Sequence, residues 1–210
     1  MNICFNCGIY RADKIIDPDG PYAICPECGY KHPFKQLPLL VVSGASGVGK
    51  STVLHQLVGT INYAVLLDSD ILWRDEFNQP ESKYCNFFET WLRVCKNISQ
   101  SGLPVVLFGA GMGVPENIEQ CVERRYFSDI HYLALVCEDV LLSERLRSRP
   151  NWRLKGDPEY IKTHIGFNNW FKENHDKVSP SIDLFNTTGI SVQETSDKIA
   201  AWIYRKLQLK

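Results

Sequence analysis

A glycine-rich stretch near the start of the chain has the residue types needed to hold a phosphate chain. Residues 44–51 read GASGVGKS, fit the pattern G-x-x-x-x-G-K-[ST] and follow the apolar run LLVVS. Glycines allow a tight turn whose N–H groups face an anion, and the following helix adds its positive N-terminal dipole. Lys50 would reach the β- and γ-phosphates, while Ser51 would place its hydroxyl on Mg²⁺. The predicted nucleotide-binding residues are Gly44, Ala45, Ser46, Gly47, Val48, Gly49, Lys50, Ser51 and Thr52.

Two acidic residues follow the second apolar run. The segment AVLLDSD places Asp68 and Asp70 at the end of an expected strand, and the carboxyl ends of parallel strands face the ligand crevice. Phosphoryl transfer depends mostly on positioning and charge neutralisation. We therefore predict that Asp68 assists Mg²⁺ and that Asp70 orients or deprotonates an acceptor hydroxyl. The alternative is a solvated Asp-Ser-Asp turn that caps the next helix.

The third apolar run, LPVVLFGAGMG, ends in glycines. Gly109 stands where a P-loop ATPase usually carries an acidic residue, which makes Asp68 the better candidate for the metal. We expect Gly109, Gly111 and Gly113 to leave room for a substrate beside the backbone. A flexible turn before the next helix is the alternative.

Four cysteines have the spacing of a metal site. Cys4, Cys7, Cys25 and Cys28 form two C-x-x-C pairs, each followed by glycine, as in a zinc ribbon. Four thiolates suit a closed tetrahedral Zn²⁺ site, and metal binding would supply folding energy that so short a segment lacks. Iron in place of zinc and redox chemistry are the alternatives. His32 is expected to be a polar surface residue, since four thiols complete the shell.

These residues require an ordinary globular scaffold. The chain has 210 residues, 44% of them hydrophobic and 22% charged, with a net charge of −1. We predict an α/β protein with a zinc ribbon at 1–36 and a nucleotide-binding domain at 37–210. Apolar runs at 39–43, 63–67, 104–108, 131–136 and 182–185 alternate with helix-length segments at 50–58, 82–99, 115–125, 138–148, 157–173 and 191–207. Such alternation is typical of a parallel sheet covered on both faces.

Four features together resemble the P-loop small-molecule kinases, the group of shikimate, gluconate, adenylylsulfate and nucleoside monophosphate kinases. They are GASGVGKS, the acid pair in LLDSD, FGAGMG and the helix LLSERLRSRP, and the resemblance covers about residues 38–208. It implies a three-layer α/β/α P-loop NTPase fold with a five-stranded parallel sheet of order 2-3-1-4-5. It also implies a lid over ATP, with a lid arginine from among Arg145, Arg149 and Arg153.

The basic stretch RLRSRPNWRLK, residues 145–155, contains five positive charges and no acid. Arginine suits bidentate contact with phosphate. Arg149 directly precedes Pro150, where the helix should end, and Arg145 lies one turn earlier on the same face. We predict that both bind phosphate and that Arg149, with Lys50 and Asp70, is catalytic. A solvated helix end whose cations complement the helix dipole is the alternative.

Two further segments acquire expected roles from the resemblance. The loop DLFNTTG offers Asn186, Thr187 and Thr188 as adenine contacts, although an ordinary strand-to-helix turn explains it equally well. The acceptor segment lies between 70 and 100, where Arg74 could hold an anionic group. Its aromatic residues, which could line a pocket or form helix core, are Trp73, Phe77, Tyr84, Phe87, Phe88 and Trp91.

The sequence thus predicts ATP- and Mg²⁺-dependent phosphoryl transfer to a small molecule, with nucleosides and nucleotides among the candidate acceptors. The alternatives are a regulatory ATP-binding module or ATPase whose ribbon engages a protein or nucleic acid, and a kinase acting on RNA or DNA ends. Four basic and four acidic residues balance in 1–36, which argues against non-specific nucleic-acid binding. Whether the chain forms a homo-oligomer is left open by the sequence.

The N-terminus lacks a basic region followed by a long apolar run, and no run of about 18 apolar residues occurs. We therefore expect a cytoplasmic protein without a membrane span. In that reducing environment the four remaining cysteines, Cys85, Cys95, Cys121 and Cys137, are expected to be core residues.

Overall fold

The computed structural model describes residues 2–150 and 156–208. Within these residues the chain forms two separate β-sheets and six α-helices. Arg153, one of the three arginines considered for the lid, lies outside the described residues. In the described part, no helix has both the length and the apolar composition required to cross a bilayer.

The first sheet is small and antiparallel. It contains β1 (Ile15–Asp17), β2 (Tyr22–Ile24) and β3 (Lys31–Pro33), in the order β1-β2-β3. These strands lie in the segment that the cysteine spacing assigns to a ribbon, and the next strand begins at Leu39. The proposed division between residues 36 and 37 therefore falls in the connection between the two sheets.

The second sheet has five parallel strands in the order β5-β6-β4-β7-β8. Relative to the first strand of this sheet, that order is 2-3-1-4-5, which confirms the predicted P-loop arrangement. The strands are β4 (Leu39–Ser43), β5 (Val65–Asp68), β6 (Val105–Phe108), β7 (Ile130–Val136) and β8 (Ile182–Asn186). All residues of β4 and β6 are buried, because helices cover both faces of a parallel sheet and its central strands must be apolar throughout.

Helices pack on both faces of this sheet. The helices are α1 (Lys50–Leu57), α2 (Cys85–Ser99), α3 (Pro115–Glu119), α4 (Asp139–Arg147), α5 (Pro158–Asn174) and α6 (Val192–Lys206). Alternate residues of β4 separate two cores: Leu39 and Val41 belong to the core with α2 and α3, whereas Leu40 and Val42 belong to the core with α1, α4 and α6. This alternation follows from the two-residue period of a strand.

The predicted helix at 115–125 is wrong in its second half. Helix α3 ends at Glu119, Cys121 has an extended backbone, and residues Val122–Tyr126 form a 3₁₀ turn. The carboxylate of Glu89, on α2, accepts hydrogen bonds from the amides of Val122 and Glu123 at 2.5 and 3.1 Å. A carboxylate from a neighbouring helix therefore binds the free amides of a new turn, which a local sequence pattern cannot reveal.

The N-terminal segment packs against α2 and this 3₁₀ turn through buried polar contacts. The Lys96 ammonium donates to the side chains of both Asn2 and Glu123, and the Glu123 carboxylate also accepts from the Asn2 amide at 2.9 Å. The Tyr126 hydroxyl donates to the carbonyl of Ala12 at 2.6 Å. Residues of the N-terminal segment, of α2 and of the 3₁₀ turn thus share one buried polar cluster.

Three of the four remaining cysteines confirm the expectation of core positions. Cys95, Cys121 and Cys137 are buried, whereas Cys85 is exposed at the first position of α2. The expectation for Cys85 is therefore wrong, because the start of α2 faces solvent at that residue.

Candidate functional site

The phosphate loop connects β4 to α1. Gly44, Gly47 and Gly49 have φ angles of 134°, 97° and 109°, which side chains disfavour. Gly44 is also constrained by packing, since a Cβ there would lie 2.3 Å from the Leu135 carbonyl oxygen. The glycines of the pattern therefore have the conformational role that the sequence predicts.

The ammonium group of Lys50 folds back along the loop. Its Nζ donates to the carbonyls of Gly44 and Ala45 at 2.7 and 3.0 Å. Burial lowers the pKa of Lys50 to about 8, with nearby Arg149 acting in the same direction and Asp70 and Asp68 opposing it. The Lys50 cation is thus held inside the loop with two carboxylates close enough to influence it.

The other loop residues are divided between core and surface. The side chains of Ala45 and Val48 are buried, whereas Ser46 and Ser51 are partly buried and Thr52 is exposed in the first turn of α1. Ala45 and Val48 can therefore offer a ligand only backbone groups, while both serines have side chains at the surface of the site.

Ser51 and Asp68 meet beneath the loop. The Ser51 hydroxyl donates to Asp68 Oδ2 at 3.4 Å. Two oxygens bound side by side to an octahedral Mg²⁺, each about 2.1 Å from it, lie about 3 Å apart. The two side chains fit a Mg²⁺ ion with a movement of a few tenths of an ångström.

Asp68 also holds the turn that follows β5. Its Oδ1 accepts from the Asp70 amide at 2.9 Å, and it caps the 3₁₀ turn at Ser69–Leu72. The capping alternative and the metal hypothesis are therefore compatible, because each uses a different oxygen of one carboxylate. The side chain of Asp70 is exposed at the start of this turn, near Lys50.

Two of the three glycines after β6, Gly109 and Gly113, do not provide the space predicted for a substrate. A Cβ on Gly109 would lie 2.2 Å from Ser69 Oγ, and one on Gly113 would lie 2.1 Å from Ser43 Cβ. Gly111 is less restricted, since a Cβ there would make ordinary contact with Phe88 at 3.4 Å. Gly109 and Gly113 are thus small because protein atoms approach them closely.

Two basic residues of the predicted lid lie beside the phosphate loop. Arg145 Nη1 is 3.5 Å from the carbonyl oxygen of Gly47, at the limit of a hydrogen bond. Arg149 Nη1 donates to the hydroxyl of Tyr160, on α5, at 3.3 Å. The charge of Arg149 also lowers the pKa of Lys50, so the two cations lie near each other at the phosphate loop.

Helix α5 contributes a histidine that the sequence analysis missed. His164 Nδ1 accepts a hydrogen bond from the Ser46 amide at 3.3 Å, and its ring packs edge-on to Tyr160 with centroids 4.3 Å apart. Burial lowers the pKa of His164 to about 4, and the charges of Lys50 and Arg149 act in the same direction. No local pattern could have indicated this residue, because it lies far from the loop in sequence.

The side chains at 186–188 form hydrogen bonds within the protein. Thr187 is buried, and its hydroxyl donates to the carbonyls of Val136 and Val48 at 3.2 and 3.4 Å. Asn186 Oδ1 accepts from the Thr188 amide, and Thr188 Oγ1 accepts from the amide of Glu138, both at 2.9 Å. These bonds are those of a strand-to-helix turn that also supports the phosphate loop.

The aromatic residues of the acceptor segment divide into two groups. Phe87, Phe88 and Trp91 are buried in the core, as the alternative interpretation requires. Trp73 is 47% exposed, and its ring lies 6.1 Å from that of Tyr84. The rings that keep exposed area are those of Trp73, Phe77 and Tyr84, and Arg74, next to Trp73 in the chain, is exposed.

The four N-terminal cysteines converge on one point. Their Sγ atoms all lie within 4.8 Å of one another, with Cys4 and Cys28 3.6 Å apart and Cys7 and Cys25 3.9 Å apart. A tetrahedral Zn²⁺ with bonds of about 2.3 Å requires sulfurs about 3.8 Å apart, whereas a disulfide requires about 2.05 Å. The geometry fits a four-thiolate metal site and contains no disulfide among these residues.

His32 is not the surface residue expected from the sequence. Only 2% of its area is exposed, and its ring lies between those of Phe5 and Tyr30 at centroid distances of 5.2 and 4.8 Å. The imidazole is covered by the two rings, which themselves stay exposed to solvent, Phe5 by 80% and Tyr30 by 42%.

The fold is similar to that of solved P-loop kinases. A gluconokinase from Sinorhizobium meliloti has a TM-score of 0.56 at 18% identity, covering 83% of this chain and 96% of that chain. A sugar kinase from a Janibacter species has a TM-score of 0.57 at 11% identity, with coverage of 83% and 96%. A shikimate kinase from Bacteroides thetaiotaomicron has a TM-score of 0.51 at 16% identity, with coverage of 80% and 98%. No family model and no curated protein matches the sequence.

Proposed function

We propose that this protein is an ATP- and Mg²⁺-dependent kinase that transfers a phosphoryl group to a hydroxyl group of a small molecule. The observation that carries the proposal is the contact between Ser51 and Asp68, at 3.4 Å, directly below a phosphate loop that contains Lys50. A loop that only bound Mg²⁺ and nucleotide would need one acidic group, whereas the end of β5 offers a second carboxylate, Asp70, near Lys50. The similarity to solved kinases supports the fold on which this proposal depends.

Each residue of the site has a physical role in the proposed reaction. Lys50 and the loop amides would bind the phosphates, and Ser51 and Asp68 would hold Mg²⁺, which neutralises phosphate charge during transfer. Asp70 would accept a hydrogen bond from the acceptor hydroxyl and take its proton as the new bond to phosphorus forms. Arg149 would stabilise the negative charge on the transferred group.

The acceptor is proposed to bind beside Asp70. Trp73 and Tyr84 present partly exposed rings close to the turn that begins at Ser69, and Arg74 lies next to them in the chain. Rings favour stacking on another ring, and arginine favours an anionic group. A nucleoside or nucleotide is therefore a reasonable first class of acceptor.

The cysteine cluster is proposed to bind a structural Zn²⁺ ion. Cys4, Cys7, Cys25 and Cys28 would supply all four ligands, which leaves no coordination position for a reacting molecule. Gly8 and Gly29, at φ of 75° and 70°, end two equivalent turns in which their amides donate to the carbonyls of Cys4 and Cys25 at 2.9 Å. This repeated turn is what directs both pairs of sulfurs to one centre.

The reaction is tested with ATP, Mg²⁺ and a panel of hydroxylated small molecules that includes nucleosides, nucleotides and sugars. We expect phosphorylated product with one class of acceptor, and at least a hundredfold loss of rate in Lys50→Ala and in Asp70→Asn. Asp197→Asn, on the exposed side of α6, is the matched control and should retain the rate. If Asp70→Asn kept full activity while Lys50→Ala lost it, the role of Asp70 would be wrong.

A second candidate function is an ATP-binding regulatory module whose ribbon contacts a partner. The observation in its favour is the exposure of apolar side chains around the cysteine cluster, with Phe5 80% and Ile3 56% exposed. Hydrolysis that is the same with every acceptor in the panel would favour this module over the kinase. Salt-sensitive binding of RNA or DNA would instead favour a kinase that acts on nucleic-acid ends.

A further inference from the structure

The Ser46 amide is bound by a side chain from a distant helix. Ser46 lies within the phosphate loop, and its N–H donates to Nδ1 of His164, on α5, at 3.3 Å. A buried or partly buried amide requires an acceptor, which in a phosphate loop is an oxygen of the ligand. His164 therefore supplies from within the chain what a phosphate would supply.

The position of Ser46 in the loop indicates which phosphate is concerned. Lys50 Nζ contacts the carbonyls of Gly44 and Ala45, so the ammonium group lies next to the residues that precede Ser46. The lysine of a phosphate loop reaches the β- and γ-phosphates. The Ser46 amide thus belongs to the end of the loop where the terminal phosphate binds.

The surroundings of His164 keep its ring in the form that can accept this hydrogen bond. Burial and the nearby charges of Lys50 and Arg149 lower its pKa to about 4, so the imidazole is neutral near pH 7. Because Nδ1 accepts a hydrogen bond from an amide, it carries no proton, and the proton of the neutral ring is on Nε2. The lone pair on Nδ1 accepts from the Ser46 amide near the cations Lys50 and Arg149, and thus takes the place of an anionic oxygen of phosphate.

We propose that His164 competes with the terminal phosphate for the Ser46 amide and thereby weakens the preference of the site for nucleoside triphosphate over diphosphate. A diphosphate that does not reach Ser46 leaves the histidine in place, whereas a triphosphate must displace it. The inference rests on the proposed nucleotide binding, and it adds a residue that determines which nucleotide is retained.

Displacement of His164 has a second consequence. Its ring packs against Tyr160, whose hydroxyl accepts the hydrogen bond from Arg149 at 3.3 Å. Movement of His164 would disturb this packing and release the guanidinium group to bind phosphate. Entry of the terminal phosphate is thus coupled to the availability of the arginine that the proposed reaction uses.

The test compares the binding of a non-hydrolysable ATP analogue and of ADP, by calorimetry with Mg²⁺ present, in four proteins. Loss of one competing hydrogen bond changes an equilibrium by about threefold to tenfold. We expect His164→Ala to bind the ATP analogue more tightly by about this factor, with its affinity for ADP within about twofold of wild type. His164→Gln, whose side-chain oxygen can accept from Ser46, should resemble wild type, as should His55→Ala on the exposed side of α1.

Several outcomes would overturn the inference. If His164→Ala bound the ATP analogue more weakly than wild type, the histidine would be a ligand of the phosphate and not its competitor. If the affinity for ADP rose as much as the affinity for the analogue, His164 would not discriminate between the two nucleotides. If His164→Ala failed to fold, the NMR chemical shift of the Ser46 amide would be measured in wild type and in His164→Gln, with and without the triphosphate. A chemical shift that the triphosphate does not change would refute the competition. Wild-type protein that binds neither nucleotide would instead refute the proposed function, on which the inference depends.

Discussion

Lys96 and Glu123 form an ion pair 2.5 Å apart beneath the N-terminal segment, and neither side chain has any exposed surface. Burial by itself raises the pKa of Glu123, but hydrogen bonds from Lys96, Arg93 and Asn2 outweigh it and hold that pKa below its usual range. The ammonium group also lies 4.1 Å from the centre of the Tyr126 ring. This pair joins helix α2 to the 3₁₀ turn, and Asn2, which hydrogen-bonds to both side chains, connects the segment that contains the cysteines to them.

We expect Glu123→Gln to lower the free energy of unfolding by about 3 kcal/mol or more, because it leaves the Lys96 charge buried without a counter-ion. The control is Lys83→Met, which removes an exposed pair in which Lys83 and Glu116 are 68% and 72% exposed. That change should cost less than about 1 kcal/mol. Urea unfolding of the metal-loaded protein measures both, and equal effects would mean that the buried pair is not structurally important.

A second prediction concerns the glycines after β6. Gly113→Ala should destabilise the protein by about 1–3 kcal/mol, because its Cβ would overlap Ser43, whose hydroxyl donates to the Ala110 carbonyl at 2.6 Å. Gly166→Ala is the control, since it lies within α5 and a Cβ there meets nothing within 4 Å. It should stabilise the protein by up to about 1 kcal/mol. Thermal unfolding separates the two, and a tolerated Gly113→Ala would contradict the packing argument.

A third prediction gives the pH dependence of stability due to His164. Its pKa is about 4 in the folded protein, so between that value and an unfolded pKa of about 6.5 the unfolded state binds the proton more readily. Stability from this residue is complete above about pH 6.5 and is lost as the pH falls towards 4. The charged groups near the ring are Lys50 and Arg149, and the ring packs against Tyr160.

Wild type should therefore lose more stability than His164→Gln between pH 7.5 and 5. The difference is about 1 kcal/mol after allowance for the partial exposure of the ring. Chemical unfolding at both pH values measures it. If the free energy of unfolding changed equally with pH in the two proteins, the ring would not be shielded from solvent as described. The control is His55→Gln, at an exposed histidine, which should show the same pH dependence as wild type.

A fourth prediction concerns the metal. Purified protein should contain about one zinc ion per chain, and a strong chelator should make four further thiols reactive and lower the unfolding temperature. Cys25→Ser should lose the metal, whereas Cys85→Ser should retain it because the exposed thiol of Cys85 is outside the cluster. A metal-free protein with the same unfolding temperature as the loaded one would contradict a structural role.

The sequence predicts the main sheet well because buried parallel strands are continuous apolar runs. The run at 39–43 coincides with β4 (Leu39–Ser43), and the run at 182–185 differs from β8 (Ile182–Asn186) by one residue. The start of α6 is also set locally, with Ser191 Oγ accepting from the Glu194 amide at 3.1 Å. These features depend on residues that are close together in the chain.

The features that the sequence does not predict depend on distant contacts. His164 meets Ser46 across 118 positions, and Lys96 meets Glu123 because α2 crosses the 3₁₀ turn. The expected roles of Gly109 and Gly113 are wrong for a related reason: a glycine that gives space to a ligand and one that gives space to a neighbouring serine look identical in sequence. Only the packed structure distinguishes them.

Helix α2 contacts both the N-terminal segment and the turn that contains Asp70, which are far apart in the sequence. Near its C-terminal end Lys96 lies under the N-terminal segment, and earlier in the helix the Trp91 indole donates to the Ser69 carbonyl at 3.1 Å, in the turn that contains Asp70. A shortened polypeptide beginning at Leu37 would therefore expose Lys96 on the helix that supports the proposed acceptor site, together with Glu123 and Tyr126 on the 3₁₀ turn packed against that helix. Its solubility, and not only its metal content, would depend on the 36 residues removed.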